Sequence, residues 1–191
     1  MTKRGRSADF ALEADSVDAL WARCDDIEDQ VLVGQMMFEG MRVGEAIHTR
    51  ASWLRAGQIA IPDEQACKCT PCTRAGGLWR PKSAAGARMI PIAKPLVQPI
   101  HDYFRKCPGG LGFTRQAAWK RVKRRAEQAS IPYLTPHALR ATAATMFALA
   151  GFNAAELCLM MGWSDINRAW HYIQIAQARK GLQEKMQKLY R

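Results

Sequence analysis

His137 and Arg140 stand three residues apart in Pro136-His137-Ala138-Leu139-Arg140-Ala141-Thr142, a segment otherwise too apolar to need either. On a helix that spacing turns both side chains to one face, where an imidazole and a guanidinium can meet a single anion. Arginine suits a phosphate because its planar fork donates two hydrogen bonds and stays charged near neutral pH. Exchange at a phosphodiester needs such donors around the non-bridging oxygens, a nucleophile in line with the leaving oxygen, and a proton donor for that oxygen. A nucleophile is available in Tyr172, within Ala169-Trp170-His171-Tyr172-Ile173, nine residues after Trp163 of Met161-Gly162-Trp163-Ser164. A second arginine, Arg42, precedes Glu45 by three residues in Glu39-Gly40-Met41-Arg42-Val43-Gly44-Glu45. Between these regions, the stretch from Arg80-Pro81-Lys82-Ser83 to Arg88 and Pro91 supplies a lysine. An isolated tyrosine or His-x-x-Arg pair is ordinary helix furniture. The information lies in all the parts occurring in order.

That order resembles the tyrosine recombinase (integrase) family. The His-x-x-Arg pair, the Gly-Trp dipeptide and a tyrosine nine residues on are similar to the family's second box. The segment from Gly40 to Glu45 resembles its first box, and the segment from Arg80 to Pro91 its lysine-bearing hairpin. The match covers roughly residues 20–191. The resemblance implies a mainly α fold with a small three-stranded antiparallel β-sheet (α+β). It implies that Arg42 and Arg140 clamp the scissile phosphate, that His137 shares its charge and proton traffic, and that Lys82 protonates the departing 5′ oxygen. Tyr172 then attacks to give a 3′-phosphotyrosyl bond, with neither ATP nor a catalytic metal. Trp163 stands where many relatives have histidine, and Glu45 supports the arginines from below. Two enzyme-like or enzyme-derived alternatives share these residues: a type IB topoisomerase, and a DNA-binding accessory module that keeps the fold without cleavage. Two departures matter. Ala141 replaces a histidine common in the family, and the residues before the first box leave no room for the family's separate core-binding domain. The expected organisation is a flexible basic tail over 1–15 and one catalytic domain over 16–191, as a fragment or as a minimal form that grips DNA from one side.

The elements that must position these residues can be read from periodicity and caps. Apolar residues recur at helical spacing over 16–38, as two helices, and 42–53 reads as helical again. The segments 58–62, 78–82 and 88–92 read as the strands of the small sheet. Helices are predicted over 95–106 and 114–130, and Thr135-Pro136 is a cap and first-turn proline for an apolar helix running to Ala150. Asn153 and Ser164 are candidate caps for helices over 154–161 and 165–175. From Ile175 onward, Ile175, Ala178, Leu182, Met186 and Leu189 form one stripe of a further, basic amphipathic helix. In relatives the corresponding helix docks on a neighbouring protomer. The resemblance therefore implies a chain that is monomeric when free and a homotetramer on paired DNA sites.

Charge agrees with a polyanionic partner. The net charge is +11, and residues 46–191 alone carry 23 bases against seven acids. Double-stranded DNA is the expected partner, with Arg80, Lys120, Arg121, Lys123 and Arg124 as its contacts. No apolar run approaches the length of a bilayer span and no export signal is evident, so a cytoplasmic, nucleoid-associated protein without membrane contact is expected. Six cysteines in such a compartment do not read as a disulfide framework. Cys67-x-Cys69-x-x-Cys72 has metal-ligand spacing but leaves a tetrahedral zinc one ligand short. Cys107, His101, Asp63 or another residue folded nearby are candidates for the fourth, and reduced surface cysteines are the alternative.

Overall fold

A computed structural model describes residues 10–190. Nine helices and five short strands occur among them. The centre is α2 (Ile27–Met37), in which Val31, Leu32, Val33, Met36 and Met37 are all fully buried. Because residues 31–37 are buried on every face, the helix is covered on every side. α1 (Ala14–Trp21), α3 (Val43–Ala46), α5 (Lys94–Lys106), α6 (Arg115–Gln128) and α7 (Pro136–Leu149) all contact it. The second, smaller helical group is α8 (Ala154–Met161) and α9 (Ile166–Leu189), packed on α7 and on each other.

The caps fall where the chain's chemistry sets them. The Thr135 hydroxyl accepts from the Ala138 N–H at 3.2 Å, and Pro136 follows in the first turn of α7. Asn153 and Glu156 form a reciprocal capping box on α8, and Asp26 caps α2 by accepting from Asp29 N at 2.7 Å. Such caps satisfy N–H groups that the helix leaves unpaired.

The three-stranded antiparallel sheet exists, with one member different from that expected. Its order is β1 (Leu54–Arg55), β2 (Gln58–Ile61), β5 (Arg88–Pro91). β1 and β2 are joined through Ala56 and Gly57, both at positive φ, a two-residue turn whose twist suits a hairpin. This turn lies just past the stretch 42–53 expected to be helical, which has only the single turn α3 and a 3-10 turn at Ala51–Trp53. The expected strand 78–82 shrinks to β4 (Leu78–Trp79), which pairs instead with β3 (Gln65–Ala66) as a separate ribbon around α4 (Thr70–Arg74).

Two further boundaries are corrected. α9 runs unbroken through Ile175, where two helices were expected, because nothing between residues 166 and 189 interrupts the helical hydrogen bonding. The expected tail over 1–15 fails at its far end. Leu12 N donates to Thr142 Oγ1 at 2.9 Å, Glu13 pairs with Arg179 at 3.0 Å, and α1 has begun by Ala14; residues 1–9 lie outside the described part.

Glu39, at the end of α2, is fully buried; Oε1 accepts from Ala93 N at 2.6 Å, while Oε2 makes no hydrogen bond among the described residues. Burial pushes its carboxyl from an ordinary 4.5 up to about 7, only partly opposed by the Ala93 N–H. A raised folded-state value means full stability below the unfolded value, lost as pH rises toward the folded one. Between pH 4.5 and 8, Glu39 is therefore expected to withdraw roughly 3 kcal/mol of stability. Urea unfolding of the native chain and Glu39→Gln across that range should show a stability difference that changes by this amount. A difference flat with pH would mean that Glu39 ionises as readily folded as unfolded.

Candidate active site

The residues singled out for phosphate chemistry converge on a cavity of about 560 Å³, lined among others by Arg42, Lys82, His137, Arg140 and Trp163. Arg115, Trp119 and Arg168 complete its cationic and aromatic wall, and no aspartate or glutamate is part of the lining. Five lysines and arginines with a histidine and no acid make an anion site.

The arginines are held from beneath by one carboxylate. Glu45, fully buried, accepts from Arg42 Nη1 at 2.7 Å and from Arg88 Nη2 at 3.1 Å, and Arg140 Nη1 lies 3.9 Å away. Its second oxygen also accepts from Arg42 N at 2.9 Å, which closes the first turn of α3. Burial alone would raise the Glu45 carboxyl, but the charges of Arg88 and Arg140 outweigh it and hold the group below the usual carboxylate range. One negative charge thus orients three guanidiniums and leaves the cavity positive.

Backbone carbonyls complete the positioning. Arg140 donates to Gly40 O and Met161 O, and Arg42 Nη2 donates to Gly162 O at 3.0 Å. Gly162 ends α8 in the left-handed region at φ 58°, where an added Cβ would lie 2.8 Å from Arg88 Nη1 and 2.9 Å from Ala85 O. Only glycine can turn the chain there and leave its carbonyl to Arg42. Desolvation and the neighbouring charge of Arg42 lower Arg140 to about 9, so it still carries its charge at neutral pH. His137 is held below the ordinary imidazole value by partial desolvation and by Arg140, which favours the neutral ring.

Tyr172 is set back from this cavity. It is 7% exposed and stacks on Trp163, ring centroids 5.4 Å apart and 20° from parallel. It lies near enough to Arg140 for the two to interact electrostatically. Around it pack Ala141, Ala144 and Met161, so the small residue at 141, the departure noted from sequence, forms part of the tyrosine's pocket. Trp163 is both cavity wall and tyrosine support.

Arg88, which sequence reading placed only within a strand, belongs to the network. Its side chain is 1% exposed, and Nε donates to Met160 O at 2.9 Å. The available signal was alternation, since Arg88 shares the inward face of β5 with Ile90 while Met89 and Pro91 face out. Arg168 carried no such signal, and Arg115, though part of the basic run of α6, reaches the rim only because tertiary folding brings its helix start there.

The expected DNA contacts divide. Lys120 is exposed, and Arg80 is exposed with its fork on Glu64 at 2.8 and 3.1 Å. Lys123 donates to Pro132 O and lies over the Trp119 ring. Arg121 and Arg124 turn to the acidic start of α2: Arg121 pairs with Asp26, Glu28 and Asp29, and Arg124 with Asp26 and Asp29. Buried Arg125 joins them. Burial would raise Asp29, but the hydrogen bonds from Arg121 and Arg125 hold it low. These ion pairs join α6 to α2, with the Arg124 side chain still 54% exposed. The cysteine cluster folds apart from the cavity, with His48 beside it; Cys107, His101 and Asp63 are exposed and do not join it.

No helix among the described residues is long and apolar enough to cross a membrane. Comparison with known proteins gives one consistent answer. The chain is 37% identical over 166 residues to the tyrosine recombinase XerD of Neisseria meningitidis serogroup A / serotype 4A, covering 78% of this chain and 51% of that protein. It is 27% identical over 158 residues to XerD of Ralstonia nicotianae, covering 80% and 50%. The chain thus spans about half the length of the curated relatives it matches. Among solved structures, XerA recombinase superposes with a TM-score of 0.72 at 18% identity, over 91% of this chain and 63% of that one. The catalytic domain of bacteriophage HP1 integrase gives 0.60 at 19% identity, over 86% of each. These likenesses place the fold among recombinase catalytic domains. The Phage integrase family matches residues 11–179, nearly the whole described length, and the chain belongs to that family.

Proposed function

We propose that this chain is the catalytic domain of a site-specific DNA recombinase that cuts and rejoins strands through a 3′-phosphotyrosine. The observation that carries the reading is the acid-free cationic cavity with Tyr172 stacked behind its Trp163 wall. A scissile phosphate in the cavity would accept hydrogen bonds from Arg42 and Arg140 on its non-bridging oxygens. Tyr172 Oη would form the new bond to phosphorus as the bond to O5′ breaks. His137, kept neutral, would take the phenolic proton, and Lys82 at the rim would give one to O5′. Since Tyr172 lies behind Trp163, attack requires the tyrosine to move toward the cavity when DNA binds. Arg115, Trp119, Lys120 and Arg168 would follow the duplex backbone around the mouth, as phosphate contacts that position without reading sequence. Such DNA binding would place the protein on the nucleoid. The solved Tn1549 transposon integrase complex, a structural likeness with TM-score 0.63, holds a circular intermediate DNA. The test is a nicked suicide duplex, its sequence selected by binding from a random library. A protein–DNA adduct that resists denaturant and yields to protease is expected, and DNA bound without any adduct would reject the reading.

The same reading extends to assembly. The last turns of α9 leave the body of the domain: Leu182 is 63% exposed, Met186 44% and Leu189 73%. On one amphipathic helix this stripe fits a neighbouring protomer, in a cyclic exchange that makes a tetramer on paired sites from chains monomeric in solution. Burying three such side chains stabilises a contact by roughly 1.5–3 kcal/mol each. Removing residues 180–191 should therefore weaken paired-site complexes by at least about tenfold while half-site binding falls by less than about threefold. Equal losses in the two gel-shift assays, run at one salt concentration, would assign the stripe to its own domain.

A further inference from the structure

We propose that His48, Cys67, Cys69 and Cys72 bind one zinc ion, and that this ion braces the hairpin carrying Lys82 against the segment that carries Arg42. The four ligand atoms lie within 4.8 Å of one another. His48 Nε2 is 3.5 Å from Cys69 Sγ and 3.6 Å from Cys72 Sγ. In a tetrahedral site with Zn–S near 2.3 Å and Zn–N near 2.05 Å, a nitrogen and a sulfur stand about 3.6 Å apart. The two nitrogen–sulfur spacings therefore fit an ion at the centre, and the remaining pairs, none beyond 4.8 Å, need to close by at most about 1 Å. The histidine is also prepared in its tautomer. Nδ1 lies 2.7 Å from Gly44 O, an acceptor only, so Nδ1 carries the hydrogen and Nε2 turns its lone pair to the thiols. Three thiolates and one imidazole complete the set that the Cys-x-Cys-x-x-Cys spacing left one short.

The surroundings are those of a closed, structural site. Cys67 and Cys72 are buried, and the His48 ring stacks on Trp79 at 5.4 Å, with Trp53 beyond it at 5.2 Å. All four positions are filled by protein, so the ion would have no open place for substrate and supplies folding energy. What it holds is informative. His48 follows α3 directly, and Arg42 and Glu45 open that helix. The cysteines belong to the excursion from β3 through α4 to β4, which ends three residues before Lys82. Without an ion that excursion rests on a ribbon of two residue pairs extended by Cys67 N on Gly77 O, on the packing of Cys67, Cys72 and Trp79 in the core, and on the Gln65 bonds to His48 O and Trp53, Arg50 on Ala66 O and Arg80 on Glu64. Two residue pairs are too few to be stable alone.

The zinc site stands independently of the recombination reading, and only its effect through Lys82 rests on that reading. The full chain purified without chelator should contain about one zinc per chain, and cobalt should replace it with the intense visible bands of a tetrahedral thiolate site. Cys69→Ser should lose the metal. His48→Ala should bind zinc at least roughly tenfold more weakly, and His48→Cys should retain it with an altered cobalt spectrum. Chelation should speed amide exchange over 65–79 and leave α2 protected. Metal-free protein that takes up neither ion would overturn the site, as would His48→Ala binding zinc as tightly as the native chain. Zinc lost with no change in exchange over 65–79 would overturn the brace. Each readout is independent of DNA cleavage, so failure of the recombinase reading leaves it intact.

Discussion

Tyr172→Phe should abolish the covalent protein–DNA adduct, on the order of 10⁴-fold or more, which is the scale for deleting an enzyme's nucleophile. DNA affinity should change by less than about tenfold, the weight of a single hydrogen bond. The separation follows from the geometry. The Tyr172 ring is held by stacking on Trp163 and by packing against Ala141, Ala144 and Met161, all of which phenylalanine preserves. The cationic lining is untouched, because Tyr172 does not contribute to it. The other tyrosines are poorly placed substitutes. Tyr133 and Tyr190 are 87% and 83% exposed, and Tyr103 is buried with its hydroxyl on Gly110 O. The check is single-turnover cleavage of the suicide duplex beside an equilibrium binding titration at the same salt. An adduct that persists in Tyr172→Phe would assign the nucleophile elsewhere, and Tyr133 and Tyr190 would be the next substitutions.

The sequence made some parts of this site legible and hid others for physical reasons. His137 and Arg140 could be paired because they share a helix, and helical spacing alone sets their common face. Thr135, Asn153 and Thr114 announce helix starts because a hydroxyl or amide at those places satisfies backbone N–H groups locally. Where partners come from distant segments, local rules are silent. The sheet recruits Leu54–Arg55 through an Ala-Gly turn, and alanine at positive φ is not a turn signal that composition supplies. His48 lies in the stretch 42–53, whose local pattern gives no hint that its ring meets Cys67, Cys69 and Cys72 across the fold. Charge by segment is likewise silent on pairing: ten acids lie before residue 46, and nothing local tells that some of them meet the basic residues of α6. In the fold, Asp26, Glu28 and Asp29 reach Arg121, Arg124 and Arg125. The cations turned to the cavity are Arg42, Lys82, Arg115, Arg140 and Arg168, and the acid beside Arg42 and Arg140, Glu45, is buried beneath the lining and positions them.

That distinction governs what removal of the clamp should do. Arg42→Ala and Arg140→Ala should each slow single-turnover strand cleavage by roughly a hundredfold or more, the cost of losing a preorganised donor at an anionic transition state. The two variants should differ in stability. Arg42 is 22% exposed at its side chain and shares Glu45 with Arg88, so its loss leaves the carboxylate paired. Arg140 is nearly buried and donates to Gly40 O and Met161 O, which tie the end of α2 to the end of α8. Its removal strands two buried carbonyls at about 1–3 kcal/mol each. Arg140→Ala should therefore lose several degrees of melting temperature as well as rate. Arg42→Ala releases one carbonyl, Gly162 O, where Arg140→Ala releases two, so it should lose less melting temperature than Arg140→Ala, which makes it the cleaner test of chemistry. Binding should separate them from a general loss of affinity, because one phosphate contact among many on a duplex changes Kd far less than a hundredfold. Arg42→Lys keeps the charge and loses the fork, so it should recover only part of the rate. A loss of tenfold or less in Arg42→Ala, in protein that melts normally and binds DNA normally, would mean that Arg42 holds the fold around Glu45 and does not touch the reacting phosphate.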